Sequence, residues 1–222
     1  MRNRWFIALA AIGLHISIGS VYAWSVLTRP IMADMGFTLS QTTWTFSLAI
    51  LILGLSAGFL GSFAEKIGPK KSGLLAMLFW VTGLLGTAYA LSIHNLTLLY
   101  LFYGIIGGIG LGIGYITPVS TLVKYFPNRP GFATGLAIMG FGFASLIAGP
   151  LMQYLVAQVG LVDTFIILGV IYLVIMGASS LYLKAPQPKH PTRTTKDKST
   201  MYVHTHGMLA NDAMKTWQFG AL

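Results

Sequence analysis

One acidic residue stands among glycines and lysines in a short stretch of this chain of 222 residues: Gly61, Glu65, Lys66, Gly68, Lys70 and Lys71. A carboxylate between basic partners, close to a helix end, can form a charge-assisted latch that releases when the elements it joins move. Other groups able to do chemistry are sparse. His15 is the one side chain of His, Asp, Glu, Lys or Arg type inside a long apolar run, where ionisable groups are costly and tend to have a purpose. It reads either as a hydrogen-bonded packing residue or as a contact to a bound molecule. Tyr22, Tyr115 and Thr117 add hydroxyls, and a phenol can donate to a carboxylate. Cysteine is absent, so no disulfide framework or Cys-based metal site is expected. His190, His204 and His206 have no carboxylate pair near them to complete a ligand set, so neither a metal nor a cofactor is expected.

The elements that must position these groups follow from composition. The chain is 55% hydrophobic and 9% charged, with a mean hydropathy of +0.73, whereas soluble domains carry about 25% charged residues. A soluble globular domain is excluded. No Asp, Glu, Lys or Arg occurs between Lys71 and Lys124 or between Arg129 and Asp163. A bilayer crossing takes roughly 20 apolar residues, which predicts six helical spans near residues 5–27, 43–63, 73–91, 96–122, 132–156 and 164–183. The fold class is therefore all-α, a polytopic membrane protein with the lipid bilayer as its first partner. Arg2 and Arg4 before the first apolar run also suit a signal peptide, but the run is long and ends in Tyr22 and Trp24, as a retained span would.

With six spans, every Lys and Arg except Arg29 falls on one side. The positive-inside rule makes that side cytoplasmic and predicts a cell (inner) membrane protein with both termini inside. The net charge of +9 is then a topology signal, and no nucleic-acid partner is implied. Residues 1–183 form the transmembrane bundle. Residues 184–216, with Pro186, Pro188 and Pro191, read as a cytoplasmic linker. Residues 217–222 turn apolar again, like the start of a seventh helix.

Glycines recur at four-residue spacing at Gly54 and Gly58 and at Gly104, Gly108 and Gly112. Such faces let helix backbones approach closely, and Gly/Pro-interrupted helices are also the moving parts of alternating-access carriers. At 100° per residue, His15, Gly19 and Tyr22 share one stripe of the first helix, with Ser17, Ser20 and Trp24 nearly opposite. The Tyr22 stripe is favoured as cavity-lining. On the fourth helix Tyr103, Gly107, Gly110, Gly114 and Thr117 form a continuous face that could border a pathway, and unwinding at Pro118 could turn Tyr115 or Thr117 inward.

The segment 61–71 meets every fixed position of a signature that it resembles, that of the major facilitator superfamily between helices two and three, with Glu65 in place of the commoner Asp. Three further segments resemble the oxalate/formate antiporter family within it: Gly-Ser-Val-Tyr-Ala-Trp-Ser at 19–25, Gly-Ile-Gly-Tyr-Ile-Thr-Pro at 112–118 and Lys-Tyr-Phe-Pro-Asn-Arg-Pro-Gly at 124–131. The resemblance implies the N-terminal six-helix bundle of a major facilitator fold, half of a twelve-helix carrier of mono- or dicarboxylates such as oxalate, formate or pyruvate. It implies a substrate role for Tyr22, which matches a family tyrosine, and cationic site residues in a C-terminal half that would be the missing partner. Gly104 stands where many proton-driven members carry an Arg. Other classes fare less well: a self-associating half-carrier or accessory subunit stays possible by composition, an intramembrane serine protease would need a base that the later spans lack, and no Arg-rich span suggests a voltage sensor.

Overall fold

Asn3 opens the first helix, its side chain accepting from the Trp5 amide at 3.0 Å, the usual way of satisfying an orphan N–H at a helix start. In the computed structural model, which describes residues 3–186, every element is helical. The first span, Arg4–Met35, joins an α-helix Arg4–Gly19 to a second, Trp24–Met35, through a 3-10 turn at Ser20–Ala23. It continues past residue 27, where the sequence predicted its end, because its second helix runs on through Pro30.

The second span, Leu39–Ile67, starts at a capping box in which the Thr38 hydroxyl accepts from the Gln41 amide and the Gln41 side chain accepts from the Thr38 amide. Gly68, at φ 83° and ψ 161°, then makes the turn that a residue with a Cβ would resist. Pro69 follows at the first position of the third span, Pro69–Ser92, where its fixed φ suits a helix start. Asn95 caps the fourth span, Leu96–Tyr125, whose segment Tyr100–Gly107 is π-helical.

The last helical segment, Pro130–Tyr182, has 53 residues and would reach ~80 Å if straight, against ~30 Å of hydrocarbon. It is not straight. Gly160, at φ 82° and ψ 178°, lies outside the helical region. Both ends of the segment return to the start of the first span, with Phe132 packing on Trp5 at 6.4 Å and Tyr182 on Phe6 at 6.4 Å. Residues 130–159 and 161–182 are therefore the antiparallel arms of a hairpin, the fifth and sixth spans. Six crossings result, from five continuous helical segments long and apolar enough to cross a membrane.

The first span holds the centre, with Ile7, Leu14, Ile18, Leu27 and Ile31 fully buried. The second lies at the periphery: 11% of its most apolar stretch is buried, against 61% for the first. It docks through the glycine notches of the fourth span. A Cβ at Gly104 would stand 2.7 Å from Leu48 Cδ2, one at Gly108 2.7 Å from Ile52 Cβ, and one at Gly112 2.6 Å from the Leu53 carbonyl oxygen. Gly54 and Gly58 differ from the sequence expectation: a Cβ on either meets nothing within 4 Å. These glycines lie on the side of the second span turned away from the fourth, so their spacing serves no contact among the described residues. The sequence-based linker beyond residue 186 and the apolar end at 217–222 lie outside the described residues.

Candidate functional site

His15 sits where the first, fourth and fifth spans meet. Its ring is fully buried, with Nδ1 2.6 Å from the Ala137 carbonyl oxygen and Nε2 3.0 Å from that of Tyr115. The Tyr115 ring stacks on it at 5.7 Å between centroids, with 27° between planes. Phe141 lies 5.7 Å from His15, 5.2 Å from Tyr115 and 5.1 Å from Tyr22. Tyr22 also meets Phe46 of the second span at 6.2 Å and is 44% exposed, so part of its side chain reaches the surface of the bundle. An aromatic path thus leads from buried His15 to the surface at Tyr22. Gly19 lets the fifth span come this close, since a Cβ there would run into the Phe141 carbonyl.

Three of the four residues that the sequence singled out for substrate contact therefore lie together. Thr117 does not join them. It is buried and shares a 2.5 Å hydroxyl contact with Ser72 of the third span, while donating to the Ile113 carbonyl at 2.8 Å. The rest of its face packs the same way: Gly107 and Gly110 sit against Trp80, and Gly114 against Ile18 and Ala76. This face of the fourth helix packs against the third span, and at Gly114 against the first as well, because its small residues let those helices close in. Trp24, opposite, is buried too, donating from its indole to the Thr42 carbonyl at 3.1 Å and packing 4.3 Å from the Tyr103 ring.

At one end of the bundle Glu65 Oε1 stands 3.5 Å from Lys124 Nζ, both side chains half exposed. The sequence suggested a carboxylate held by Lys66, Lys70 or Lys71; the ion pair instead joins the end of the second span to the end of the fourth. Lys124 was missed as a partner of Glu65 because in sequence it served only as a topology marker and as the start of the 124–131 segment. A cavity of about 50 Å³ beneath the pair is bordered by Gly68, Thr117, Ser120 and Thr121, room for water and too small for the roughly 300 Å³ or more of a ligand pocket. Ser120 and Thr121 donate back to the Thr117 carbonyl. Among the described residues no three His, Asp or Glu side chains are grouped to hold a metal ion.

Six apolar crossings, glycine-notched packing and a charged turn between the second and third spans define a polytopic bundle of the transporter kind. The chain belongs to the major facilitator superfamily, whose family profile matches residues 6–218. It is 32% identical over 196 residues to the uncharacterized MFS-type transporter YhjX of Escherichia coli, covering 87% of this chain and 47% of that one. It is 28% identical to human monocarboxylate transporter 14, covering 84% and 36%, and 28% identical to the oxalate:formate antiporter of Oxalobacter formigenes, covering 76% and 40%. The chain spans less than half the length of these relatives.

Proposed function

We propose that this bundle is the N-terminal half of a carrier that moves small mono- or dicarboxylates, such as oxalate, formate or pyruvate, by alternating access, with its basic end in the cytoplasm of a cell bounded by the (inner) membrane that holds it. The observation that carries the reading is Tyr22, a half-exposed phenol on the surface shared by the first, second and fifth spans, backed by Phe141 and Tyr115. A phenol donates to a carboxylate without itself bringing charge into the membrane. The names of two relatives, a monocarboxylate transporter and an oxalate:formate antiporter, point to the same solute class. No covalent bond is made or broken in this reading, so the protein is no enzyme.

Arg29 of the first span apart, the spans carry Lys and Arg only at their ends, and the second span leaves most of its surface bare. Both features suit a second bundle that seats on that surface and supplies cationic side chains. The chain alone is then not expected to exchange solutes. The test is to read the source DNA for about 700 bases beyond the Leu222 codon, enough for a second bundle of similar size, and to reconstitute both this chain and the full reading frame in liposomes. Saturable carboxylate counterflow from the full frame only is expected. Counterflow by the chain alone would overturn the half-carrier reading; none from the full frame with oxalate, formate or pyruvate would overturn the solute class.

The bare glycines Gly54 and Gly58 favour a second reading, a half-carrier or accessory subunit that self-associates through this face. Crosslinking in mild detergent that traps only monomers would count against it.

A further inference from the structure

Tyr22 stands out from a stretch whose other side chains are buried. Ser20, Val21, Ala23 and Trp24 are between 0% and 3% exposed, against 44% for Tyr22. Local geometry accounts for the difference. Ser20–Ala23 is a 3-10 turn, in which side chains three apart eclipse. Ser20 then lies over Ala23, Val21 lies over Trp24, and the third face is left to Tyr22. An α-helix through the same four residues would wind about 80° less and be about 2 Å shorter, and it would aim Tyr22 elsewhere.

A 3-10 turn has poorer hydrogen bonds than an α-helix, so it persists where its surroundings hold it. Here it is gripped at both ends. At its start Gly19 lies against the fifth span, where a Cβ would run into the Phe141 carbonyl. At its end Trp24 closes the turn twice: its backbone N–H donates to the Val21 carbonyl, and its indole N–H donates to the Thr42 carbonyl of the second span at 3.1 Å. The indole also packs 4.3 Å from the Tyr103 ring and 6.5 Å from that of Phe165, which leaves it no room to swing.

We propose that Trp24 is a positioning residue for Tyr22: through its indole bond to Thr42 it holds the 3-10 turn that keeps the phenol facing outward between Phe141 and Phe46. The functional weight of the inference rests on the reading of Tyr22 as a solute contact. Trp24 is buried on another face of the turn and acts only through Tyr22. The same bond fixes the second span beside the first, and Phe46, one helical turn beyond Thr42, is thereby held 6.2 Å from the Tyr22 ring. The Thr42 side chain takes no part in the grip, since its hydroxyl donates to the Thr38 carbonyl.

Trp24→Phe keeps an aromatic ring and removes the N–H. The first measurement is ¹⁹F NMR of the full chain in lipid nanodiscs, labelled with fluorotyrosine, with the Tyr22 and Tyr154 signals assigned by Tyr22→Phe and Tyr154→Phe. In Trp24→Phe the Tyr22 signal is expected to shift or split, while that of Tyr154, 63% exposed on the fifth span, stays in place. An unmoved Tyr22 signal would overturn the proposal. If this variant does not fold, Trp24→Met, whose flexible side chain refills the space without an N–H, is read in the same way.

The second measurement is carboxylate counterflow by the full carrier. Trp24→Phe should raise KM by roughly three- to tenfold with kcat little changed, as losing part or all of a hydrogen bond to a charged group would. It should add nothing further once Tyr22→Phe is present. An equal rise in both backgrounds, or an unchanged KM where Tyr22→Phe raises it, would show that Trp24 only packs the bundle and would overturn the proposal. If Tyr22→Phe by itself leaves KM unchanged, the solute reading of Tyr22 falls, and the ¹⁹F spectra still decide whether Trp24 positions it.

Discussion

Glu65, which closes the second span, pairs with Lys124, which closes the fourth, at 3.5 Å. The contact ties the peripheral helix to the bundle at the basic end. Three lysines lie nearer to Glu65 in sequence, but the glycine notches that seat the second span on the fourth bring Lys124 across from it.

Because both partners are half exposed, the pair is a weak latch, worth about 0–1 kcal/mol. A double-mutant cycle with Glu65→Gln and Lys124→Gln, read by reversible unfolding in mixed micelles, should give a coupling in that range that shrinks at high salt. A coupling well above that range, insensitive to salt, would show that the pair is shielded from solvent rather than a weak surface latch.

The glycines of the fourth and second spans should behave differently. Gly112→Ala sets a methyl 2.6 Å from the Leu53 carbonyl oxygen, backbone that cannot swing aside; a loss of about 1–3 kcal/mol is expected. Gly54→Ala meets open space and should be neutral or stabilising by up to about 1 kcal/mol, through helix propensity. Equal losses at the two positions would mean that the second span packs through both faces.

Thr117→Val removes the hydroxyl that faces Ser72 and leaves a buried polar partner unpaired, which should cost about 1–3 kcal/mol of stability. In the full carrier the apparent KM should stay unchanged. A large rise in KM with unchanged stability would place Thr117 back on the solute pathway.

Tyr22→Phe keeps the ring against Phe141 and Phe46 and deletes only the hydroxyl. Hydrogen bonds to charged groups contribute about 1.5–3 kcal/mol, so carboxylate KM in the full carrier should rise by roughly tenfold or more, with little change in thermal stability. An unchanged KM would remove Tyr22 from the solute site.

Gly160→Ala tests the hairpin between the fifth and sixth spans. A Cβ at φ 82° is strained whatever the space around it, and a penalty of about 1–3 kcal/mol is expected. Wild-type stability in this variant would mean that the two arms can turn without a left-handed residue.

The sequence by itself determined the class of protein, a polytopic membrane bundle of long apolar helices. Apolar length and charge are local properties: a run of about 20 uncharged residues must cross the bilayer as a helix whatever lies beside it, and Glu65 with its lysines must remain outside. The segment 61–71 and Tyr22 carried the family resemblance in the same local way. Tertiary structure decided the pairings. Periodicity showed that Gly54, Gly58, Gly104, Gly108 and Gly112 could each form a packing stripe, but only the seating of the helices reveals that the fourth span uses its stripe and the second does not. It likewise turned Thr117 toward Ser72 and gave Glu65 the lysine of another helix. The partners of His15 had no sequence signal at all, since every residue has a carbonyl, and what selects those of Tyr115 and Ala137 is the close approach of three backbones that Gly19 and its neighbours allow.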